Sequence, residues 1–169
     1  MADTYEITVN AVAHVVDVEP DTPLLYVLQN DLSLKGPRFG CGLAQCGSCS
    51  VLLDGVEMRS CVLPISAVGD RRVTTLEGLA LWYAEQRDLD DVPELHPVQQ
   101  AMIDTQAIQC GYCFNGMMVK AAELLENTRR PSEAEIKAAM NGHLCRCGMY
   151  PRIVAAIQEA ATAVSGDPA

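Results

Sequence analysis

Strict alternation of apolar and polar positions opens the chain. Tyr5-Glu-Ile-Thr-Val9 and His14-Val-Val-Asp-Val18 each predict a strand with one buried face, joined by a tight turn at Asn10-Ala11. The period then becomes helical. Asp21-Thr22-Pro23 predicts a helix start, with Thr22 as N-cap and Pro23 at the first helical position, where its missing N–H costs nothing. Leu24, Leu25, Val27, Leu28 and Leu32 supply the apolar stripe, and Lys35-Gly36-Pro37 ends it. Ser50–Leu53 and Val56–Ser60 flank Asp54-Gly55, a strong hairpin signal. Arg72-Val-Thr-Thr75 predicts a closing strand. Two hairpins, a closing strand and one helix across a small mixed sheet make the β-grasp arrangement.

The second half has a helical period. Leu76 to Asp91 predicts a short helix followed by an exposed charged linker. Trp82 and Tyr83 within it suit a seam between two halves and a docking surface for a partner equally well. His96-Pro97 opens a helix through Ile103, and Met117, Met118, Ala121, Leu124 and Leu125 mark a second after Cys113. Ser132-Glu-Ala-Glu135 is a capping box before a third over Ile136–Met140, which Asn141-Gly142 stops. Pro151 opens a fourth, running through Ile153–Ile157 to about Val164. Short connections predict a compact four-helix bundle. The expected fold class is therefore α+β: a β-grasp domain over residues 1–79, then a linker and helical domain over 80–169, with a mobile tail from Ser165.

Composition narrows the function. The hydrophobic fraction is 49% and aromatics only 5%, so the cores are built from Leu, Val, Ile, Met and Ala. Two domains within 169 residues are each marginal on apolar burial alone. A cofactor site formed only on folding would add its binding energy to that stability. The net charge of −10 argues against nucleic acid, which needs a basic footprint. No apolar run reaches membrane-span length. The start, Met1-Ala-Asp-Thr-Tyr-Glu6, has neither the basic nor the apolar region of a secretory signal, so a cytoplasmic location is expected. His14, alone in a strand, reads as a surface residue.

Eight cysteines carry the chemistry. Cys41, Cys46 and Cys49 form a C-x4-C-x2-C run with Cys61 after the next hairpin, while Cys110-x2-Cys113 and Cys145-x-Cys147 form a second set. That is two groups of four, and the first has the plant-type spacing of a 2Fe–2S ligand loop. Gly40, Gly42 and Gly47 allow positive φ and a close approach of backbone to a cluster, whose sulfurs loop N–H groups can then address. Disulfides compete poorly without export. Zinc competes on the Cys-x2-Cys pair, although neither group has the symmetry of a zinc ribbon. Free buried thiols would not explain two groups of four.

The motifs Phe39-Gly-Cys-Gly with Gln45-Cys-Gly-Ser-Cys49, Gln109-Cys-Gly-Tyr-Cys113 and Asn141-Gly-His-Leu-Cys-Arg-Cys147 closely resemble the small iron–sulfur subunit of the xanthine oxidase family of molybdenum hydroxylases. The resemblance runs from Tyr5 to about Val164. It implies a plant-type ferredoxin-like domain whose cluster lies farther from molybdenum, and a helical domain holding the nearer one. It implies a large partner subunit that carries a molybdopterin cofactor, in its cytosine dinucleotide form, and hydroxylates substrate with oxygen from water. This chain would then be a wire with no catalytic residue of its own. Gln109 would lie against the pterin, and Cys147 would be the ligand whose sulfur approaches the pterin amine. Gly42-Leu-Ala-Gln45 is similar to the branch of isoquinoline 1-oxidoreductase and nicotinate dehydrogenase. Branches with an FAD subunit carry a more glycine-rich segment there. The resemblance thus implies a c-type cytochrome as acceptor, an N-heteroaromatic compound or an aldehyde as substrate, and membrane association only through a partner. The Leu79–Leu95 segment is longer than usual for the family. A stand-alone ferredoxin-like carrier is the alternative, although such a carrier needs only one exposed cluster.

Overall fold

The computed structural model describes residues 2–166. Strands β1 (Asp3–Val9) and β2 (Val12–Val18) pair antiparallel, Val9 opposite Val12. Asn10 and Ala11 turn the hairpin at φ 50° and 65°. A short helix, α1 (Leu24–Tyr26), runs on into a π-helical turn over Val27–Asp31. The second hairpin is β3 (Ser50–Leu53) with β4 (Val56–Arg59), turned by Asp54 and Gly55 at φ 49° and 81°. Strand β5 (Arg72–Thr74) pairs parallel with β1 and antiparallel with β3, giving the order β2-β1-β5-β3-β4. Leu24, Val27 and Leu28 pack on Ile7, Val9, Val51, Leu53 and Val73, so α1 lies across one face of this mixed sheet.

The start of α1 departs from the expectation. Pro23, not Thr22, is the N-cap residue, and no side chain caps the helix. The Thr22 carbonyl accepts from Ile65 N–H at 2.8 Å, and Leu24 N–H donates to the Leu63 carbonyl at 2.8 Å. Neighbouring backbone satisfies groups that a hydroxyl would otherwise cap. The π turn had no signal in the apolar stripe; it is closed by Leu32 N–H on the Val27 carbonyl at 3.1 Å.

The helices follow: α2 (Leu79–Gln86), α3 (Pro97–Asp104), α4 (Phe114–Asn127), α5 (Glu133–Ala139) and α6 (Tyr150–Ser165). Ser132 and Glu135 form the expected capping box. A second one went unforeseen: the buried His96 ring accepts from Val98 N–H through Nδ1, and Gln99 caps the His96 N–H. Ser165 closes α6 and Gly166 caps it at φ 72°, so the tail expected to be mobile begins inside a helix, and 167–169 lie outside the described residues.

Helices α3 to α6 share one apolar core around Met102, Met117, Leu125, Ile136, Ile153 and Ile157. Helix α4 also packs on the sheet. Leu52, Leu79, Trp82, Val119 and Ala122 form a cluster between strand β3, helix α2 and helix α4. Trp82 is only 7% exposed, which is the seam role rather than docking. Tyr83 packs against the helical core with its ring edge-on to His96. Strand β3 is buried at all four residues because α1 covers one face and α4 the other. Burying each large side chain of this seam contributes roughly 1.5–3 kcal/mol.

Candidate metal centres

The loop before β3 gathers the first thiols. Cys41 Sγ accepts N–H groups from Leu43, Gln45 and Cys46 at 3.4, 3.2 and 3.3 Å, and Cys46 Sγ accepts from Cys41 N–H at 3.3 Å. The chain curls this tightly by taking positive φ at Gly42, Ala44 and Gly47. Ala44, at φ 59°, was not foreseen; a left-handed alanine costs roughly 1–2 kcal/mol and had no glycine to signal it. Gly40 is required for another reason, because a Cβ there would lie 2.6 Å from Cys46 Sγ. Cys61 follows the end of β4 and packs with Cys49 beneath Leu25. Burial acts to raise the Cys41 thiol, but the three N–H groups outweigh it and hold it down at about 7. Cys49, deep in the fold, is pushed up to about 12 by burial and by its neighbour Cys61.

The second set lies on two turns at the helical end. Cys110 is exposed, Cys113 is the N-cap residue of α4, and Cys145 and Cys147 lie in the turn before α6. The Cys110 and Cys147 sulfurs are 3.4 Å apart. Cys113 is pushed up to about 12 by burial and then by Cys145. Cys145 is buried too, yet N–H groups of Met149, Cys147 and Gly148 hold its thiol below the usual range. Gln109 is exposed beside Cys110.

All eight thiols are free. Among the described residues no three ligating side chains converge as a single metal ion needs. The thiols are neighbours in pairs instead: Cys41 and Cys46 exchange N–H···S bonds, Cys49 packs with Cys61, Cys110 meets Cys147 sulfur to sulfur, and Cys113 is raised by Cys145 beside it. Two thiolates per iron is what a 2Fe–2S cluster asks for. Each set also combines thiols lowered by N–H groups with thiols raised by burial. The raised ones stay protonated unless a cation compensates them, and a bound metal deprotonates a coordinating thiol outright. The residues therefore fit the cofactor.

The two sets meet at one seam. Leu144 N–H, next to Cys145, donates to the Cys46 carbonyl at 3.0 Å. Asn115 Nδ2, two residues past Cys113, donates to the carbonyls of Ser48 and Ser50 on either side of Cys49, at 2.9 and 2.8 Å. Arg38 Nη1 donates to the Gly111 carbonyl at 2.9 Å, and the Tyr112 hydroxyl donates to the Phe39 carbonyl. Gly47 has a second duty beyond the cysteine loop: a Cβ on it would collide with the His143 ring, and one on Gly116 would collide with the Gly47 carbonyl. His143 is buried and neutral, its imidazole pushed down to about 3 by burial and then by Arg59 and Lys120. Asn115, Gly116, His143 and Arg59 were missed by sequence reasoning. A glycine inside an apolar helical stripe, at 116, was the one available sign.

The comparisons with known proteins agree with this geometry. Residues 7–76 match the 2Fe-2S iron-sulfur cluster binding domain family, and residues 75–158 match the [2Fe-2S] binding domain family. One subunit of the nicotinate dehydrogenase of Pseudomonas putida is 47% identical over 161 residues, covering 95% of this chain and 96% of that protein. The alpha subunit of the isoquinoline 1-oxidoreductase of Brevundimonas diminuta is 46% identical over 147 residues, covering 87% and 90%. The crystal structure of aldehyde oxidoreductase from Desulfovibrio desulfuricans superimposes with a TM-score of 0.86 at 36% identity, covering 98% of this chain but 17% of that one. With both halves matched, with near-full-length relatives of this identity and with two sets of paired thiols at one seam, the chain belongs to the small 2Fe–2S subunits of the xanthine oxidase family of molybdenum hydroxylases, in the branch of isoquinoline 1-oxidoreductase and nicotinate dehydrogenase.

Proposed function

We propose that this chain is the electron-transfer subunit that joins a large molybdopterin-binding partner to a c-type cytochrome. In this reading Cys41, Cys46, Cys49 and Cys61 hold one 2Fe–2S cluster in a ferredoxin-like domain over 1–79. Cys110, Cys113, Cys145 and Cys147 hold a second in a four-helix-bundle domain over 80–169. When bound, the clusters supply one-electron redox chemistry. The chain's residues do the rest: they ligate, aim N–H groups at sulfur, exclude water from Cys49 and Cys113, and fix the distance between the sets.

The observation that carries the proposal is the seam. Leu144 N–H meets the Cys46 carbonyl at 3.0 Å, tying a neighbour of Cys145 directly to a residue of the first set. A carrier that visits several enzymes needs one exposed cluster and no such tie. At the other end, exposed Gln109 and Cys110 and half-buried Cys147 present the second set at the surface, where the pterin of a partner, in its cytosine dinucleotide form, would sit against Gln109 and Cys147. The partner's size is suggested by the aldehyde oxidoreductase, in which this fold is 17% of a longer chain. Relatives named for nicotinate and isoquinoline favour an N-heteroaromatic substrate over an aldehyde. The segment Gly42–Gln45 supports a cytochrome over an FAD subunit.

The test is purification of the native complex, metal and sulfide analysis, and EPR of the reduced protein. A large molybdenum subunit, two distinct 2Fe–2S signals and reduction of cytochrome c in preference to NAD are expected. Zinc, or one signal, would sink the two-cluster reading. A fully loaded chain that works alone would sink the subunit reading, and bound FAD would sink the choice of acceptor.

A further inference from the structure

We propose that Arg59 is a positioning residue that sets both the spacing of the two cluster sites and the fixed charge between them. The inference rests on the two-cluster reading above.

Arg59 closes β4, two residues before Cys61. Its guanidinium reaches three other segments, each carrying a cysteine. Nε donates to the Ala44 carbonyl at 3.3 Å, inside the loop between Cys41 and Cys46. Nη1 donates to Ser50 Oγ at 2.6 Å, next to Cys49. On the other side of the seam Nη2 donates to the Gly142 carbonyl at 3.2 Å, and Nη1 donates to His143 Nε2 at 2.9 Å, two residues before Cys145. One side chain therefore ties both cysteine sets at once. Only a planar fork with several diverging donors can do this; a lysine ammonium presents its three donors from a single point.

The charge matters as much as the reach. The Arg59 side chain is 17% exposed, so water screens it poorly. Its ion pair is with Glu57, whose side chain is 10% exposed. Glu57 N–H in turn donates to Glu123 Oε1 at 2.8 Å, and Glu123 pairs with Lys120 on α4. The result is two half-buried ion pairs at the seam, Arg59 with Glu57 and Lys120 with Glu123, joined through the Glu57 N–H. Reduction adds an electron to a site whose surrounding segments Arg59 holds, so a positive charge there favours the reduced state and an uncompensated Glu57 carboxylate disfavours it. An ion pair more than a screening length from both cysteine sets would bind the halves together without moving a potential.

The experiment uses the full chain loaded with iron and sulfide, in its complex where that is recovered, with EPR-monitored redox titration and the magnetic splitting between the two reduced centres as readouts. Arg59→Met leaves Glu57 unpaired and is expected to lower the reduction equilibrium of both centres roughly tenfold, about 59 mV for one electron, and to alter the splitting. Arg59→Lys restores the charge but not the fork, so the potentials return towards the parent while the splitting stays altered. Glu57→Gln keeps the geometry and is expected to raise both potentials. It is the deciding variant if Arg59→Met does not fold. Unmoved potentials in folded, fully loaded Arg59→Met or Glu57→Gln protein would overturn this inference alone. Failure to find two 2Fe–2S signals in the parent would overturn the cluster reading and take the inference with it.

Discussion

Gly116→Ala sets local and tertiary energetics against each other. Helix propensity alone predicts a gain of roughly 0.8–1 kcal/mol, since glycine is the poorest non-proline residue in a helix interior. Gly116 is the third residue of α4 and fully buried. A methyl group there would overlap the Gly47 carbonyl oxygen, with the carbonyl carbon at 2.7 Å and the His143 ring at 3.1 Å. The obstacle is backbone, so no side-chain rotation relieves it. Overpacking of this kind costs typically 1–3 kcal/mol. Moving α4 away from the loop also strains the two Asn115 hydrogen bonds to Ser48 and Ser50, each worth about 1 kcal/mol net. The balance is a net loss of about 1–3 kcal/mol, which for a domain of this size lowers Tm by about 2–12 °C. Urea unfolding and calorimetry of the loaded chain measure it. A variant as stable as the parent, or more so, would refute the claim that close backbone contact at Gly47 and Gly116 defines the seam.

Three cysteine and histidine experiments complete the set. Cys49→Ser is expected to remove the first centre's signal and cut electron flow to the acceptor while substrate still reduces molybdenum in the complex; loss of that reduction in a folded complex would reverse the proposed order. Cys147→Ser is expected to damage the second centre and slow substrate-driven electron exit, read by rapid mixing; a normal second signal would remove Cys147 from the ligand set. His96, buried between Trp82 and Tyr83, is pushed down to about 3 by burial and then by Arg87. The unfolded chain takes up a proton near pH 6.5 and the folded chain does not until about 3, so His96 contributes stability above 6.5 that is lost as pH falls. By pH 5 the loss is about 2 kcal/mol. Unfolding of His96→Asn, which keeps a capping side chain, should show a pH slope smaller by about one proton across that window; an unchanged slope would show that His96 is not the group involved.

What the sequence determined by itself is whatever depends on near neighbours. Alternation specified β1 and β2. Asp54-Gly55 specified its turn because few residues accept positive φ in succession, whereas Asn10-Ala11 was placed by the alternation on either side of it, Ala11 taking φ 65° against its preference. Ser132 and Glu135 announced their own capping box. The cysteine spacing announced two sets of four and, with the motifs around them, the family. Tertiary structure decided everything that depends on residues far apart in the chain. Trp82 could equally have docked a partner until Leu52 and Val119 closed over it. The burial of both faces of β3 had no sequence sign because α4, far later in the chain, covers the second face. Ala44 and the His96 cap break local preference, and packing sustains them. Asn115, His143 and Arg59 were invisible for the same reason: an asparagine, a histidine and an arginine carry no period, and only Gly116, a glycine within a helical stripe, gave a sign. Their meaning lies in a seam formed only when the cysteine loop and the helical end are brought into contact.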